Sequence, residues 1–495
     1  MKLSCTVSKF LDIADNAVVL FCHKSSVPNS DLLEQIDILS GGAVAEMYES
    51  GEFNGADGSA VMIRRVPETA AGRIVLAGLG ESKNINFDTY RRAAGHIGKM
   101  MLKHKVKSVT MYYDGTDTNP IAQALVEGCI LGTYRFLDYK TGDKDKNDGV
   151  DSLTIAVPQG GKLKQAQTGL DRADIVAWAV NMCRDLTFLP GNTLYPESYA
   201  KRAEKLAKEC GFKCTILGPS EIKKEKMDAL YSVGKGSDRP PRFVILEYNG
   251  KPKSKPVVLV GKGVTFDSGG ISLKPGLNMQ EMIGDMMGSA VVLSVICAAA
   301  RLGVKMNIVA LMPLAENMPS GGASKPGDII NSRAGHTIEI INTDAEGRLI
   351  LADALDYADT FDPQAVIDIA TLTGASLYIL GYAGAPFVGT SQNLNNNLRA
   401  VSETIGEKVW ELPLWSEYSD LMKSSVADIK NSGGRPAGTL SAAAFLKKFT
   451  KDWPWAHIDI AYCDIEPSGK PYTPKGATGY GVRLLLELLQ RWKRP

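Results

Sequence analysis

The sequence predicts an α/β protein of two domains, the larger, C-terminal one carrying a helix-covered mixed sheet. Three observations predict this class. At 495 residues the chain exceeds what one hydrophobic core ordinarily serves. Short apolar runs alternate with helix-length amphipathic stretches, the pattern of strands joined by covering helices. In the second half several apolar runs are continuous, as expected for strands buried on both faces.

In the first part, Val18–Phe21, Ala60–Ile63, Ile74–Ala77, Val109–Tyr112 and Leu153–Val157 read as strands. Phe87–Leu102 and Ile121–Phe136 read as helices, from apolar recurrence at three- and four-residue spacing. Asp143–Asp151 is a polar, glycine-containing loop. A long helical pattern from Lys162 to about Leu186, stopped before Pro190-Gly191-Asn192, connects the domains. The boundaries read as 1–165 for the N-terminal α/β domain, 166–190 for the connector and 191–495 for the C-terminal domain. Beyond the connector come a helix at Tyr199–Cys210, a strand at Phe243–Tyr248, a solvated turn at Lys251–Pro256 and a strand at Val257–Val260. A long helix at Met279–Leu302 follows, then strands at Ile308–Leu314 and Thr337–Ile341, a helix at Gly347–Phe361 and a strand at Ala365–Ala370.

Composition narrows the function. Hydrophobic residues make up 44% and charged residues 22%, which excludes a disordered tail or a fibre. Lys+Arg number 56 against 55 Asp+Glu, so the chain lacks the basic excess of a dedicated nucleic-acid binder. Eight cysteines are scattered without a CxxC and read as reduced thiols of a cytoplasmic protein. Cys210 and Cys214, four apart in a helical-looking stretch, could be neighbours on one face. Asp12 and Asp15 interrupt the apolar N-terminal stretch, which argues against a signal peptide. No run approaches 18 apolar residues, so no membrane span is expected.

Ligands of an open α/β sheet bind beyond the carboxyl ends of its strands, which selects three loops. The first runs from Gly261 to Gly270, with Lys262 and Asp267, and is followed by Lys274. It lacks the GxxxxGK[ST] pattern of a phosphate cradle. The second, Asn342–Arg348, holds Asp344, Glu346 and Arg348. Thr343 and Glu346 there have capping-box spacing ahead of a helix, which is one reading. The other is an extended segment whose alternate positions 344, 346 and 348 face one side. The third loop is Thr371–Ala375. Asp285 lies in an otherwise apolar helix start, where a buried charge needs a partner or a metal.

Asp267, Asp285, Asp344 and Glu346 at one site would repel strongly unless divalent metal neutralised them. Two divalent ions about 3.5–4 Å apart are a known hydrolytic arrangement. The five histidines include no HExxH, which excludes that type of zinc site, and His457 reads as a structural strand residue.

VGKGVTFDSGGISLKP at 260–275, the Asp285 segment and NTDAEGRL at 342–349 resemble the cytosolic leucyl aminopeptidases, hexameric dinuclear-metal exopeptidases. The resemblance covers roughly residues 165–495 and continues through Asp428-Ile-Lys-Asn431, Gly438 and Trp455–Ala461. It implies two divalent ions per subunit, Mn²⁺ or Zn²⁺, with Mg²⁺ or Co²⁺ as alternatives. By resemblance, Asp267 and Glu346 bridge both ions, Lys262 and Asp285 complete the tighter site, and Asp344 belongs to the exchangeable one. Lys262 then needs a neutral amine, which divalent charge beside it would provide. Lys274 would stabilise the oxygen of the scissile carbonyl, a metal-bridging water would attack, and Arg348 would hold a bicarbonate general base. Met282, Thr371, Gly374 and Ala477 match the side-chain pocket, a medium apolar slot implying a broad preference for Leu and Met. Asp185–Asn192 departs from the polar run usual after the connector.

The activity implied is removal of the N-terminal residue from peptides with a free amine, by a cytoplasmic homohexamer. A DNA-binding accessory role, as in some bacterial relatives of that family, is the alternative. Its support is local: Arg64-Arg65, Arg91-Arg92 and the lysines at 103, 105 and 107 could form a stripe on an oligomer.

Overall fold

The computed structural model describes residues 1–142 and 149–493; the greater part of the loop read at Asp143–Asp151 lies outside them. The chain forms two compact units. One comprises Met1–Trp178 with Pro467–Lys475, the other Ala179–Glu466 with Gly476–Pro495. The division falls inside a single helix, Gly160–Phe188, which is the connector helix read from the sequence.

The first unit is built on six strands: β1 (Lys2–Val7), β2 (Ala17–Cys22), β3 (Ala60–Arg64), β4 (Arg73–Gly78), β5 (Ser108–Tyr112) and β6 (Ser152–Val157). Their order is β1-β6-β5-β2-β4-β3, all parallel except the β3–β4 pair. The five expected strands are present. β1 is additional, because its alternating Lys-Leu-Ser-Cys-Thr-Val holds too few apolar residues to stand out. Asn86 and Thr89 cap the helix Phe87–Lys103 reciprocally. The next helix spans Thr118–Gly132 rather than reaching Phe136. Thr133 ends it, its hydroxyl donating to the carbonyls of Cys129 and Ile130 at 2.9 and 3.1 Å.

The segment Pro467–Lys475 completes this unit from far along the chain. Tyr472 donates its hydroxyl to Asp88 at 2.7 Å, and Lys99 donates to the Lys470 carbonyl at 2.6 Å. A Cβ on Gly95 would lie 2.7 Å from the Pro471 backbone, so only glycine permits the approach. Arg91 and Arg92 belong to the same charged cluster. Arg91 bonds Glu127 at 2.8 Å and Asp88 at 2.9 Å, while Arg92 reaches Asp88 and Asp57. That pair therefore serves internal ion pairing, where the DNA reading needed it free for phosphate.

The second unit's main sheet contains β7 (Lys213–Leu217), β8 (Arg242–Asn249), β9 (Val257–Gly261), β10 (Gly263–Asp267), β11 (Asn307–Asn317), β14 (Ala365–Ala370), β15 (Ala385–Gly389), β16 (Val409–Glu411) and β18 (Trp455–Asp459). The order is β16-β15-β18-β14-β9-β11-β8-β7, with β10 also on β11. The four central strands β18, β14, β9 and β11 are parallel; β15 and β8 join them antiparallel, with β16 parallel to β15 and β7 antiparallel to β8, the mixed sheet expected. Val258, Val260, Leu311 and Val366 pack on one face with the helices Gly347–Ala358 and Gly438–Lys447. The helix Met287–Arg301 covers the opposite face. Met279–Arg301 as a whole is long and apolar enough to cross a membrane, but 89% of its most apolar window is buried within the fold.

Four expectations change here. The long helix at Met279–Leu302 is split, a 3-10 turn at Met279–Gly284 meeting the helix Met287–Arg301 at Asp285. The loop expected after β9 is mostly strand β10. β13 (Thr337–Glu339) belongs not to the main sheet but to a small one with β12 (Ile329–Asn331) and β17 (Ile429–Lys430). Cys214 lies on β7 while Cys210 ends its helix, so the two are not neighbours. Cys210 instead accepts hydrogen bonds from Cys297 and Arg301; the first pulls its thiol down most, to about 6, against burial. His457 is buried at Asp368, 2.5 Å from Nδ1, with Trp455 donating to the same carboxylate at 2.7 Å. This fits its structural reading.

The Arg91–Glu127 pair yields a stability prediction, because its side chains are only 6% and 1% exposed. Arg91→Met strands a buried carboxylate and should destabilise the first unit by about 3–5 kcal/mol in urea unfolding. Adding Glu127→Leu should recover most of that loss; no recovery would mean that the pair is not the source.

Candidate metal centre

β9 and β10 run in line along β11, the first paired with Ile308–Leu311 and the second with Leu314–Asn317. Lys262 sits at the break. Its carbonyl accepts from Ser289 N at 2.8 Å, satisfying one donor in the first turn of the helix Met287–Arg301, and its own N–H donates to Ile369. A Cβ on Gly347 would lie 2.5 Å from Lys262 Cε, so this glycine provides the space that the lysine stem occupies. Lys262 Nζ lies 2.7 Å from Asp285 Oδ1, 3.0 Å from Glu346 Oε1 and 2.8 Å from the Thr371 carbonyl.

Asp267 ends β10 and accepts from Gly269 N at 2.9 Å and Asn317 Nδ2 at 2.8 Å. The following loop is zipped to the one bearing Asp344. Thr343 Oγ1 donates to the Gly269 carbonyl at 2.6 Å and accepts from Ser272 N at 2.8 Å. Lys274 lies between the loops, 2.8 Å from Asp267 and 2.6 Å from Asp344.

The segment 343–346 is a turn entering the helix Gly347–Ala358, neither an extended run nor a capping box. Glu346 occupies the cap position without a side-chain cap bond, its carboxylate turned to Lys262. Asn431 holds this turn: it accepts from Ile341 N at 2.8 Å and donates to the Asn342 carbonyl at 2.7 Å. Its carbonyl accepts from Arg348 Nη1 at 2.9 Å. Arg348 is buried, its Nε has no partner among the described residues, and burial pulls the guanidinium down to about 10.

The structure thus gathers Lys262, Asp267, Lys274, Asp285, Asp344 and Glu346 at the carboxyl ends of the central strands, with Arg348 beside Glu346. Asp267, Asp344 and Glu346 each offer a ligand oxygen, all within 4.8 Å of one another. Asp285 Oδ2 and Glu346 Oε2 are buried without a hydrogen-bond partner among the described residues. Buried polar atoms are nearly always partnered, so these oxygens fit a cation. Oxygen donors with one lysine nitrogen suit Mg²⁺, Mn²⁺, Zn²⁺ or Co²⁺. Burial raises the acid pKa values of Asp285 and Glu346, and their lysine neighbours act against it.

Of the expected pocket residues, Thr371 donates to Asp285 at 2.8 Å, and Met282 lies in the 3-10 turn three residues before it. Gly374 begins the short turn after β14, and Ala477 is buried on β20 (Gly476–Ala477), paired with β19 (Ile465–Glu466). Sequence reasoning assigned no role to Asn317. Its signal was a pair of polar residues, Glu316 and Asn317, closing the apolar run Ile308–Ala315 at the strand end that bears the site.

Burial opposes charge on Lys262, but Asp285, Glu346 and Asp267 outweigh it and push its pKa above the usual lysine value. The amine is therefore protonated at neutral pH, and coordination by Lys262 must release that proton. Mn²⁺ binding should release protons and weaken as pH falls. Calorimetric titration in two buffers of different ionisation enthalpy checks this; identical heats would show that Lys262 is not a ligand.

Comparison with known proteins gives the chain's family. The family model described as "Cytosol aminopeptidase family, catalytic domain" matches residues 181–486, and "Cytosol aminopeptidase family, N-terminal domain" matches 18–143. The chain is 44% identical to a "Probable cytosol aminopeptidase" of Syntrophotalea carbinolica over 469 residues, 94% of each chain. A second protein of that name, from Geotalea uraniireducens, is 44% identical over 93% of this chain and 94% of its own. Among solved structures, "Bottromycin maturation enzyme BotP in complex with Mn" superposes with a TM-score of 0.85 at 32% identity. That match covers 96% of this chain and 99% of the other. Both domains, the near full-length relatives and the shared architecture show that the chain belongs to the cytosol aminopeptidase family.

Proposed function

We propose that this protein is a cytoplasmic metal-dependent aminopeptidase that removes the N-terminal residue from peptides with a free amine, using two divalent ions. The observation that carries the reading is the convergence of Asp267, Asp344 and Glu346 within 4.8 Å at the strand ends. Mn²⁺ in the BotP complex supports manganese as one suitable ion. Bound here, divalent cations polarise the scissile carbonyl and lower the pKa of water enough for attack at neutral pH.

The protein's own groups do the rest. Asp267 and Glu346 would hold both cations, Lys262 and Asp285 would complete one site, and Asp344 would serve the other. Lys274 is only 23% exposed in its side chain and places an ammonium where charge develops on the carbonyl oxygen. Arg348, whose Nε has no partner among the described residues, would hold bicarbonate, which would supply a general base. Met282, Thr371, Gly374 and Ala477 receive the substrate side chain, and their apolar surface favours Leu and Met. One methylene changes such a preference by only about 1–3 kcal/mol, so the range is broad. Exposed Trp410, Trp415 and Tyr378 support the homohexamer as the assembly that covers them.

The test is hydrolysis of a leucine chromogenic amide after chelation and then with Mn²⁺ restored, beside its N-acetylated form. Cleavage of the free amine alone, restored by metal, is expected; failure with every divalent ion would overturn the reading. Lys274→Met should lower kcat by about 10²–10³-fold while KM changes little. An equal rise in KM with kcat retained would place Lys274 in substrate binding instead.

A further inference from the structure

Two of the eight cysteines, Cys210 and Cys297, meet where two helices of the second unit pack together. Cys210 is the last residue of the helix Pro196–Cys210, and Cys297 lies in the third turn of the helix Met287–Arg301. Near the start of both helices Ser289 Oγ donates to the Tyr199 hydroxyl at 3.1 Å. About three turns further along the first helix and two along the second, the two thiols hydrogen-bond each other. These two ties set the helices side by side in the same direction.

The two sulfurs differ in access. Cys210 is half-buried at the helix end, where Gly211 turns left-handed with φ 80° and a Cβ on it would meet nothing within 4 Å. Cys297 is fully buried. Arg301, exposed and one turn beyond Cys297, hydrogen-bonds Cys210 as well. Reactive thiols share these features: partial exposure, a cation that favours the thiolate, and a second cysteine within contact to resolve the product.

The charge state agrees with the geometry. The Cys297 hydrogen bond, with Arg301, outweighs burial and the Glu209 charge and holds the Cys210 thiol at about 6. Cys5 and Cys214 are half-buried too, but burial and a neighbouring carboxylate push both up to about 11. Exposure alone therefore does not single out Cys210; its neighbours do.

We propose that Cys210 and Cys297 are a site of reversible oxidation by hydroperoxides, Cys210 taking the oxygen and Cys297 closing a disulfide. The Cys210 thiolate attacks one peroxide oxygen, so that an S–O bond forms and the O–O bond breaks. The other oxygen leaves as water, or as an alcohol from an organic hydroperoxide. The Cys297 thiol then attacks the sulfenic sulfur, forming the S–S bond, and the expelled hydroxyl leaves as water with the Cys297 proton. Two thiols lose two electrons and the peroxide gains them. Cys210, at a helix end closed by glycine, is the member able to make the short approach that the bond requires. In a reducing cytoplasm such a disulfide is transient, reversed by thiol exchange.

The test treats the full-length, Mn²⁺-loaded protein with hydrogen peroxide at pH 7, then counts thiols in denaturant and maps peptides. Two of the eight thiols should disappear, a peptide linked through Cys210 and Cys297 should appear, and dithiothreitol should reverse both changes. Cys297→Ala should stop at a Cys210 sulfenic acid, trapped by dimedone, while Cys210→Ser should keep all its thiols. Eight thiols retained in the wild type, a disulfide joining other cysteines, or a sulfenic acid that never proceeds to a disulfide would overturn the proposal. Brief iodoacetamide labelling of the native wild type needs no variant to fold. Cys210 should react about tenfold faster or more than Cys5 and Cys214. Equal rates at the three would show that Cys210 is not activated and sink the idea.

Discussion

Four carboxylates share one buried volume with two lysines, and the second unit is arranged around that charge. Two like charges about 4 Å apart repel by about 4 kcal/mol at an effective dielectric constant of about 20. Asp267, Asp344 and Glu346 offer oxygens within 4.8 Å of one another, so their mutual cost is comparable with a domain's whole stability. Lys262 and Lys274 offset part of it, each lying within 3.0 Å of two carboxylates. The remaining negative charge makes the centre a receptor for divalent cations.

Such a cluster needs a scaffold that cannot relax outward, and neutral hydrogen bonds supply it. Asn317 ties the end of β10 to the turn at Thr343, and Asn431 grips that turn from β17. Thr343 and Ser272 lock the two ligand-bearing loops to each other. None of these bonds adds charge to the site. Each fixes a backbone whose neighbouring carboxylates would otherwise move apart, so rigidity and charge are handled by different residues.

The strands and helices of the central layers were legible because their apolar runs are long, and the covering helices Met287–Arg301 and Gly347–Ala358 are buried over nearly their whole length. β1 was not, since only Leu3 and Cys5 pack on the core while Lys2, Ser4 and Val7 are exposed. The site was legible as a set of residues, through NTDAEGRL and the run from Val260 to Pro275, but not as geometry. Local spacing gave no sign that β10 continues the line of β9 past a break at Lys262, because β11 imposes that continuation. The split at Asp285 was hidden for a similar reason: the apolar pattern runs through it unbroken. Asn431 stood inside a recognised stretch, yet its clamp on Arg348 and the acidic turn spans about 90 residues and follows only from tertiary contact.

Pro467–Lys475 has a consequence for how the protein is made. The first unit is otherwise finished at Trp178, but Tyr472 and Pro471, which bond and pack against Asp88 and Gly95, are encoded about 300 residues later. At ribosomal speeds of about 5–20 residues per second, that gap lasts about 15–60 s. Throughout this interval the glycine-lined groove on the helix Phe87–Lys103 stands open while the catalytic half is still being synthesised. The nascent N-terminal half therefore waits, incomplete, for the last tenth of its own message.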